Sequence, residues 1–255
     1  MFGVIAGIGY NQGVNNILNL FFGPGVNAAR AVAFQVLSAI NQLISNFQSA
    51  VNPSITKEYA QGRYSYNLIF SSSKFSYFLL LFFCIPIYFK TDWILKVWLD
   101  VVPPHTHEFV RLVIIDVLIC SLSGPLQTFV QATGKIRNYQ IIVSSIILLN
   151  VPISYLVLLK TGEPNYAFIV AIGLSLLALI ARLLVLRNML KFPAWSFTKY
   201  VLGRGMLVTL LIIFAVTYFD KIIVNSQLLS FMIFFIINAI GLIILIFLVG
   251  LSSYE

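Results

Sequence analysis

Long apolar runs, broken by short clusters of Gly, Pro and charge, fill the chain from end to end. A helix rising 1.5 Å per residue needs about 20 residues to cross roughly 30 Å of hydrocarbon. Cutting at the clusters predicts spans at 2–22, 27–50, 67–89, 108–132, 139–159, 165–187, 200–219 and 227–250. The last run carries no charge between Leu228 and Leu251, whereas the first two are rich in Asn, Gln and Ser. No strand-like alternation is long enough for a transmembrane barrel. The pattern therefore predicts an all-α integral membrane protein with about eight transmembrane helices.

Composition agrees with the pattern. Hydrophobic residues make up 60% of the 255, charged residues only 9%, and the net charge is +8; the mean hydropathy is +0.95. Soluble domains carry roughly a quarter charged residues, so the bilayer has to be the solvent. The opening Met1-Phe2-Gly3 lacks the basic start of a signal peptide, so the first apolar run reads as a span. Lys and Arg are scattered between apolar runs, which makes them topological markers and excludes a nucleic-acid partner. Lys57, Arg63 and Lys74, then Lys135 and Arg137, then Arg182, Arg187, Lys191, Lys199 and Arg204 fall after even-numbered spans. The opposite loops mix Lys90, Lys96, Lys160 and Lys221 with Asp92, Asp100, Glu108, Glu163 and Asp220. The alternation predicts a multi-pass protein with both termini cytoplasmic. Cys84 and Cys120 lie in apolar runs and read as reduced thiols that mark no redox compartment. Two connections, Trp93–Leu99 and Trp195–Arg204, place aromatics beside charges, as interfacial segments do.

Polar groups inside a membrane carry the functional information. In the second span Gln35, Ser38, Gln42, Ser45 and Ser49 recur at steps of three and four, which puts them on one helix face. Asn41, Gln48 and Asn52 widen that stripe, and Gln12, Asn15 or Asn16, and Asn19 repeat it in the first span. Such faces either bond across a dry helix interface or line a hydrated cavity; their number favours the cavity. Arg30, in the first turn of the second span, either snorkels to headgroups or faces the cavity and attracts an anion. Asp116 is about two turns inside the fourth span and needs a partner on another helix or a proton. Arg111 is five residues away, off-face for a pair. Pro86, Pro125 and Pro152 mark bends.

Enzyme chemistry has little to build on. His105-Thr106-His107-Glu108 sits in a loop without a matching ligand set, and no phosphate-cradling loop or nucleophile motif occurs. The chain is expected to be no enzyme, with no metal and no cofactor.

Several segments resemble the polysaccharide flippases (Wzx-like O-antigen and capsule translocases) of the multidrug/oligosaccharidyl-lipid/polysaccharide exporter superfamily. They are Phe21-Phe22-Gly23-Pro24-Gly25-Val26-Asn27-Ala28-Ala29-Arg30, Asn52-Pro53-Ser54-Ile55-Thr56-Lys57-Glu58-Tyr59, and Ile94-Leu95-Lys96-Val97-Trp98-Leu99. Others are Ser121-Leu122-Ser123-Gly124-Pro125-Leu126, Gln131-Ala132-Thr133-Gly134-Lys135, and Asn150-Val151-Pro152-Ile153-Ser154-Tyr155. The resemblance covers about residues 1–165 and implies a transporter of two six-helix lobes. Residues 1–190 correspond to the second lobe, helices seven to twelve, and 191–255 to an appended helix pair. The first lobe is expected to be missing, making the chain a fragment. The implied activity is flipping of a lipid-linked oligosaccharide of the undecaprenyl diphosphate type in a bacterial inner membrane, for surface polysaccharide (lipopolysaccharide) biosynthesis. Its partners would be that lipid, membrane lipids and the missing lobe. Gln12, Asn16, Asn19, Arg30, Gln35, Gln42, Ser45, Ser49 and Asp116 are then the candidate cavity residues, with Arg30 meeting the diphosphate. The alternatives are a drug/cation antiporter of the same superfamily and a non-transporting membrane assembly subunit.

Overall fold

The computed structural model describes residues 2–62, 66–220 and 227–250, and among them every element is helical. In chain order these are α1 (Phe2–Phe22), α2 (Pro24–Ala60), α3 (Tyr66–Phe89), α4 (Thr91–Trp98), α5 (Thr106–Ser121) and α6 (Gly124–Ala132). Then follow α7 (Ile136–Leu148), α8 (Asn150–Thr161), α9 (Asn165–Leu190), α10 (Ala194–Phe197), α11 (Arg204–Asp220) and α12 (Gln227–Leu245). Arg63, Lys221 and Glu255, which enter the topological reading, lie outside the described residues.

Six segments are long and apolar enough to cross a membrane: Tyr66–Phe89, Thr106–Ala132, Ile136–Thr161, Asn165–Leu190, Ala194–Tyr218 and Phe231–Gly250. They coincide with the last six expected spans. Helices α1 and α2 have the length, at 21 and 37 residues, but their amides and hydroxyls keep them out of that apolar set. Large apolar side chains such as Leu210, Phe214, Ile236, Ile240 and Phe247 are exposed. Such a surface is stable against lipid or another apolar surface, not against water.

Three expected spans differ in their interior. Segment Thr106–Ala132 is broken into α5 and α6 at Leu122–Ser123, because Pro125 has no N–H for the Ser121 carbonyl. Segment Ile136–Thr161 bends at Leu149, where Pro152 leaves the Leu148 carbonyl without its donor. The predicted boundary near Trp195–Arg204 is absent. α10 passes through a π-helical turn, Thr198–Gly203, directly into α11, so the segment is continuous with a helix long and apolar enough to cross a membrane. The other expected interfacial segment is a separate short helix, α4, with Leu95 buried and Val97 and Trp98 exposed. It is tied to α5 where Asp92 meets His107 Nδ1 at 2.6 Å and Arg111 at 3.4 Å.

The body is organised around α2, α5 and α9. α2 packs on α5, α6 and α3; α5 packs on α9; α9 packs on α7 and α8, which also carry α1. One apolar core joins Ala29, Ala33, Ile40, Val110, Ile114 and Val117. A second is aromatic: Phe192 stands edge-on to Tyr66 and Phe70, and Phe70 edge-on to Phe197. The third, Phe78, Leu81, Val208, Ile212, Phe234 and Leu242, joins α3 to the α11–α12 pair.

Polar contacts pin that pair to α3, among them the hydroxyls of Tyr77 and Thr209, which share a hydrogen bond at 2.7 Å. Pro86 cannot donate to the Phe82 carbonyl one turn earlier, and buried Asn238 of α12 supplies the donor at 3.0 Å. Lys74, counted among the basic markers after the second span, is buried in the third turn of α3, where its Nζ donates to the Gly250 carbonyl at 3.2 Å. A π-helical turn, Ile246–Gly250, continues α12, so a cation there meets the negative end of that helix.

Candidate functional site

Small and branched residues set the register of α2. Val26, Ala29, Ala33, Ile40, Ile44 and Ile55 are buried, so the positions opposite, Gln35, Ser38, Gln42, Ser45 and Ser49, are exposed. In α1, Ala6, Val14 and Leu18 are buried, while Gln12, Asn16 and Asn19 are exposed. Gln12, Asn16, Asn19, Gln35, Ser38 and Gln42 thus point away from the chain's own body, while Ser45 and Ser49 border a cavity between its helices. Their hydrogen bonds stay within the helix: Gln42 Nε2 donates to Asn46 Oδ1 at 3.1 Å, and Ser49 Oγ to the Asn46 carbonyl at 2.9 Å.

Arg30 does not reach outward. It is buried, donating to Asn15 Oδ1 and to the Asn11 carbonyl, each at 3.2 Å, and stacking over Phe34 at 4.2 Å. Asn15, not Asn16, is the α1 amide that turns inward. Arg30 therefore joins α1 to α2. Asp116 of α5 is partly buried, with Ser175 of α9 beside it and its Oδ1 without a hydrogen-bond partner. Tyr10 of α1 lies close enough for both Arg30 and Asp116 to act on its phenol. Among the described residues no ion pair links Arg30 to Asp116.

A polar cavity of about 430 Å³ opens between α2, α5, α6 and α9. The second turn-set of the α2 stripe supplies one wall, through Asn41, Ser45, Gln48 and Asn52; Cys120, Ser121, Ser123 and Gln127 supply another. Gly124 begins α6, and the Gln48 amide occupies the space a Cβ would take there. Thr128 Oγ1 donates to Asn52 Oδ1 at 2.9 Å, locking the two walls together.

Arg182 of α9 also lines this cavity. The sequence reading counted it among the basic markers at the end of a span. α9 runs on to Leu190, which puts Arg182 eight residues, about 12 Å, inside the helix. The available signal was its flanking sequence, apolar on both sides, since an ionisable residue within a span is a functional candidate by default.

A third feature is a groove of about 970 Å³ bounded by α3, α5, α9 and the α10–α11 segment. Leu118, Leu176, Ile180 and Leu184 line it, with Arg187 and Trp195 at the end where α9 gives way to α10.

Comparison of the chain with protein-family models, curated proteins and solved structures gives no match.

Proposed function

We propose that this chain is the second lobe and appended helix pair of a transporter that moves a lipid-linked oligosaccharide across a bacterial inner membrane. On this reading α1 and α2 also cross the bilayer, giving eight spans with both termini cytoplasmic, and a first lobe completes the transport path. The carrying observation is the direction of the polar stripes. Gln12, Asn16, Asn19, Gln35, Gln42, Ser45 and Ser49 are exposed on neighbouring helices and bonded to nothing across a helix interface. Lipid cannot satisfy amides and hydroxyls, so such faces require water, cargo or another polar protein surface. Amides and hydroxyls also exchange hydrogen bonds readily with sugar hydroxyls. The apolar groove beside α9 suits the hydrocarbon part of the same cargo, since it offers almost no polar partner along its length.

The test is chemical accessibility. Cysteines placed singly at Gln35, Gln42 and Ser49 of the assembled transporter react with a membrane-impermeant thiol reagent, and added cargo slows them. Three unreactive cysteines would place the stripe in a dry interface and remove the reading.

A further inference from the structure

We propose that one end of the chain is a hinged gate. The last two turns of α2 move together with α6 and α7 against the rest of the molecule, and the motion widens or narrows the polar cavity whatever the cargo.

Three prolines place the hinges. Pro53 lies inside α2, Pro125 begins α6, and Pro152 stands in the first turn of α8. Each lacks the N–H that would bond four residues back, so the carbonyls of Ser49, Ser121 and Leu148 lose their helical donor. A helix with a bond missing bends there at lower cost. Pro86 shows the contrary arrangement, because Asn238 takes its orphan carbonyl and pins the helix. Among the described residues no side chain does the same for Ser49, Ser121 or Leu148. Beyond the weak points lie seven residues of α2, nine of α6 and 13 of α7. At 1.5 Å per residue the three hinges are about 11, 14 and 20 Å from their common end, inside a hydrocarbon core of roughly 30 Å.

What lies beyond the hinges is held together. Ile55 of α2 shares a core with Leu126 and Phe129 of α6, and the Tyr59 ring stands edge-on to Phe129 at 5.9 Å. Only Thr133, Gly134 and Lys135 join α6 to α7, with Gly134 at φ +71°, too short a turn for the two to part. The same core continues into Leu179, Leu183 and Phe192 of the body, an apolar seat on which packed helices can shift. The Tyr139 hydroxyl of α7 stands beside Arg182 of α9 across that seat. Room for movement is present, since a cleft of about 400 Å³ lies between the α6–α7 turn and Met189 of α9. Ser49, Asn52, Ser121 and Gly124 at the hinges also line the polar cavity, so bending there changes its width directly.

The test is a set of three distances in the full chain, with Cys84→Ser and Cys120→Ser, in lipid nanodiscs. Nitroxides are attached in pairs at exposed positions and read by pulsed dipolar spectroscopy. Lys57→Cys with Asn138→Cys samples the gate, Asn188→Cys with Lys199→Cys the body, and Asn138→Cys with Lys199→Cys the separation between them. The gate-to-body distribution is expected to be about twice as wide as either internal one. Pro53→Ala with Pro152→Ala narrows it by about half, as the Ser49 and Leu148 carbonyls regain donors. Pro152→Ala alone narrows it by less and serves if the double variant does not fold. Equal widths for all three pairs overturn the gate, as does a gate-to-body width that the proline variants leave unchanged. An internal gate distribution as broad as the gate-to-body one shows α2, α6 and α7 moving separately and overturns it as well. None of these outcomes depends on what the polar stripes of α1 and α2 face, so the translocation reading keeps its own test.

Discussion

Helices α1 and α2 at one end of the chain and α11 and α12 at the other are both packed pairs on the same body, yet they treat their polar residues oppositely. The α11–α12 pair exposes Leu210, Phe214, Ile236 and Ile240 and turns its amide, Asn238, inward to a waiting carbonyl. The α1–α2 pair buries Ala29, Ala33 and Ile40 and exposes Gln12, Asn16, Gln35 and Gln42. One pair is finished for lipid. The other presents a polar face beside the apolar Val4, Ile5, Ile8 and Leu20 of α1. The difference lies in position, not residue type: an amide in a membrane helix is cheap only where a partner of the same polarity faces it.

The largest stability effect expected from this contrast is at Arg30, the polar contact that α1 and α2 do make with each other. Arg30→Ala removes two hydrogen bonds and the stacking on Phe34 and leaves Asn15 Oδ1 unpaired. It should cost about 2 kcal/mol, read as a lower midpoint on unfolding in sodium dodecyl sulfate. An unchanged midpoint would show that the pair is held by its apolar seam alone. Next is Asn238→Leu, expected to cost about 1 kcal/mol, the usual size of a hydrogen bond between membrane helices. Combined with Pro86→Ala the loss should shrink, because the Phe82 carbonyl then regains a donor within α3. Full additivity would break the account of Asn238 as a substitute for the proline's missing N–H. The smallest effect is at the exposed stripe, where Gln42→Ala should change stability by under about 0.5 kcal/mol. If Gln42→Ala proved costlier than Asn238→Leu, the stripe would be packing in the chain's own fold and the two helix pairs would not differ in kind.

Much of the fold could be read without coordinates. Runs such as Leu228–Leu251 are too long and too apolar for anything but a span, and the three-four spacing from Gln35 to Ser49 put those side chains on one face whatever the neighbours were. The proline bends at Pro125 and Pro152 were legible because the missing N–H is a property of the residue. Other placements were not legible. Lys74 and Arg182 fell within the predicted spans 67–89 and 165–187, yet looked like markers because charge is easiest to explain at a helix end; the burial of Lys74 and the cavity beside Arg182 came only from the packing of other helices. Arg30 offered two sequence readings, snorkelling or facing a cavity, and Asn15 on the neighbouring helix decided its contact instead.

The sequence by itself determined the solvent, the helical class and the polar faces, because hydropathy and helical period are local quantities. Only the tertiary structure decided which arginine is already held by a neighbouring helix, at Arg30, and which opens on a polar cavity, at Arg182. That choice depends on what stands within a few ångströms across a helix interface, and spacing along one helix carries no record of it.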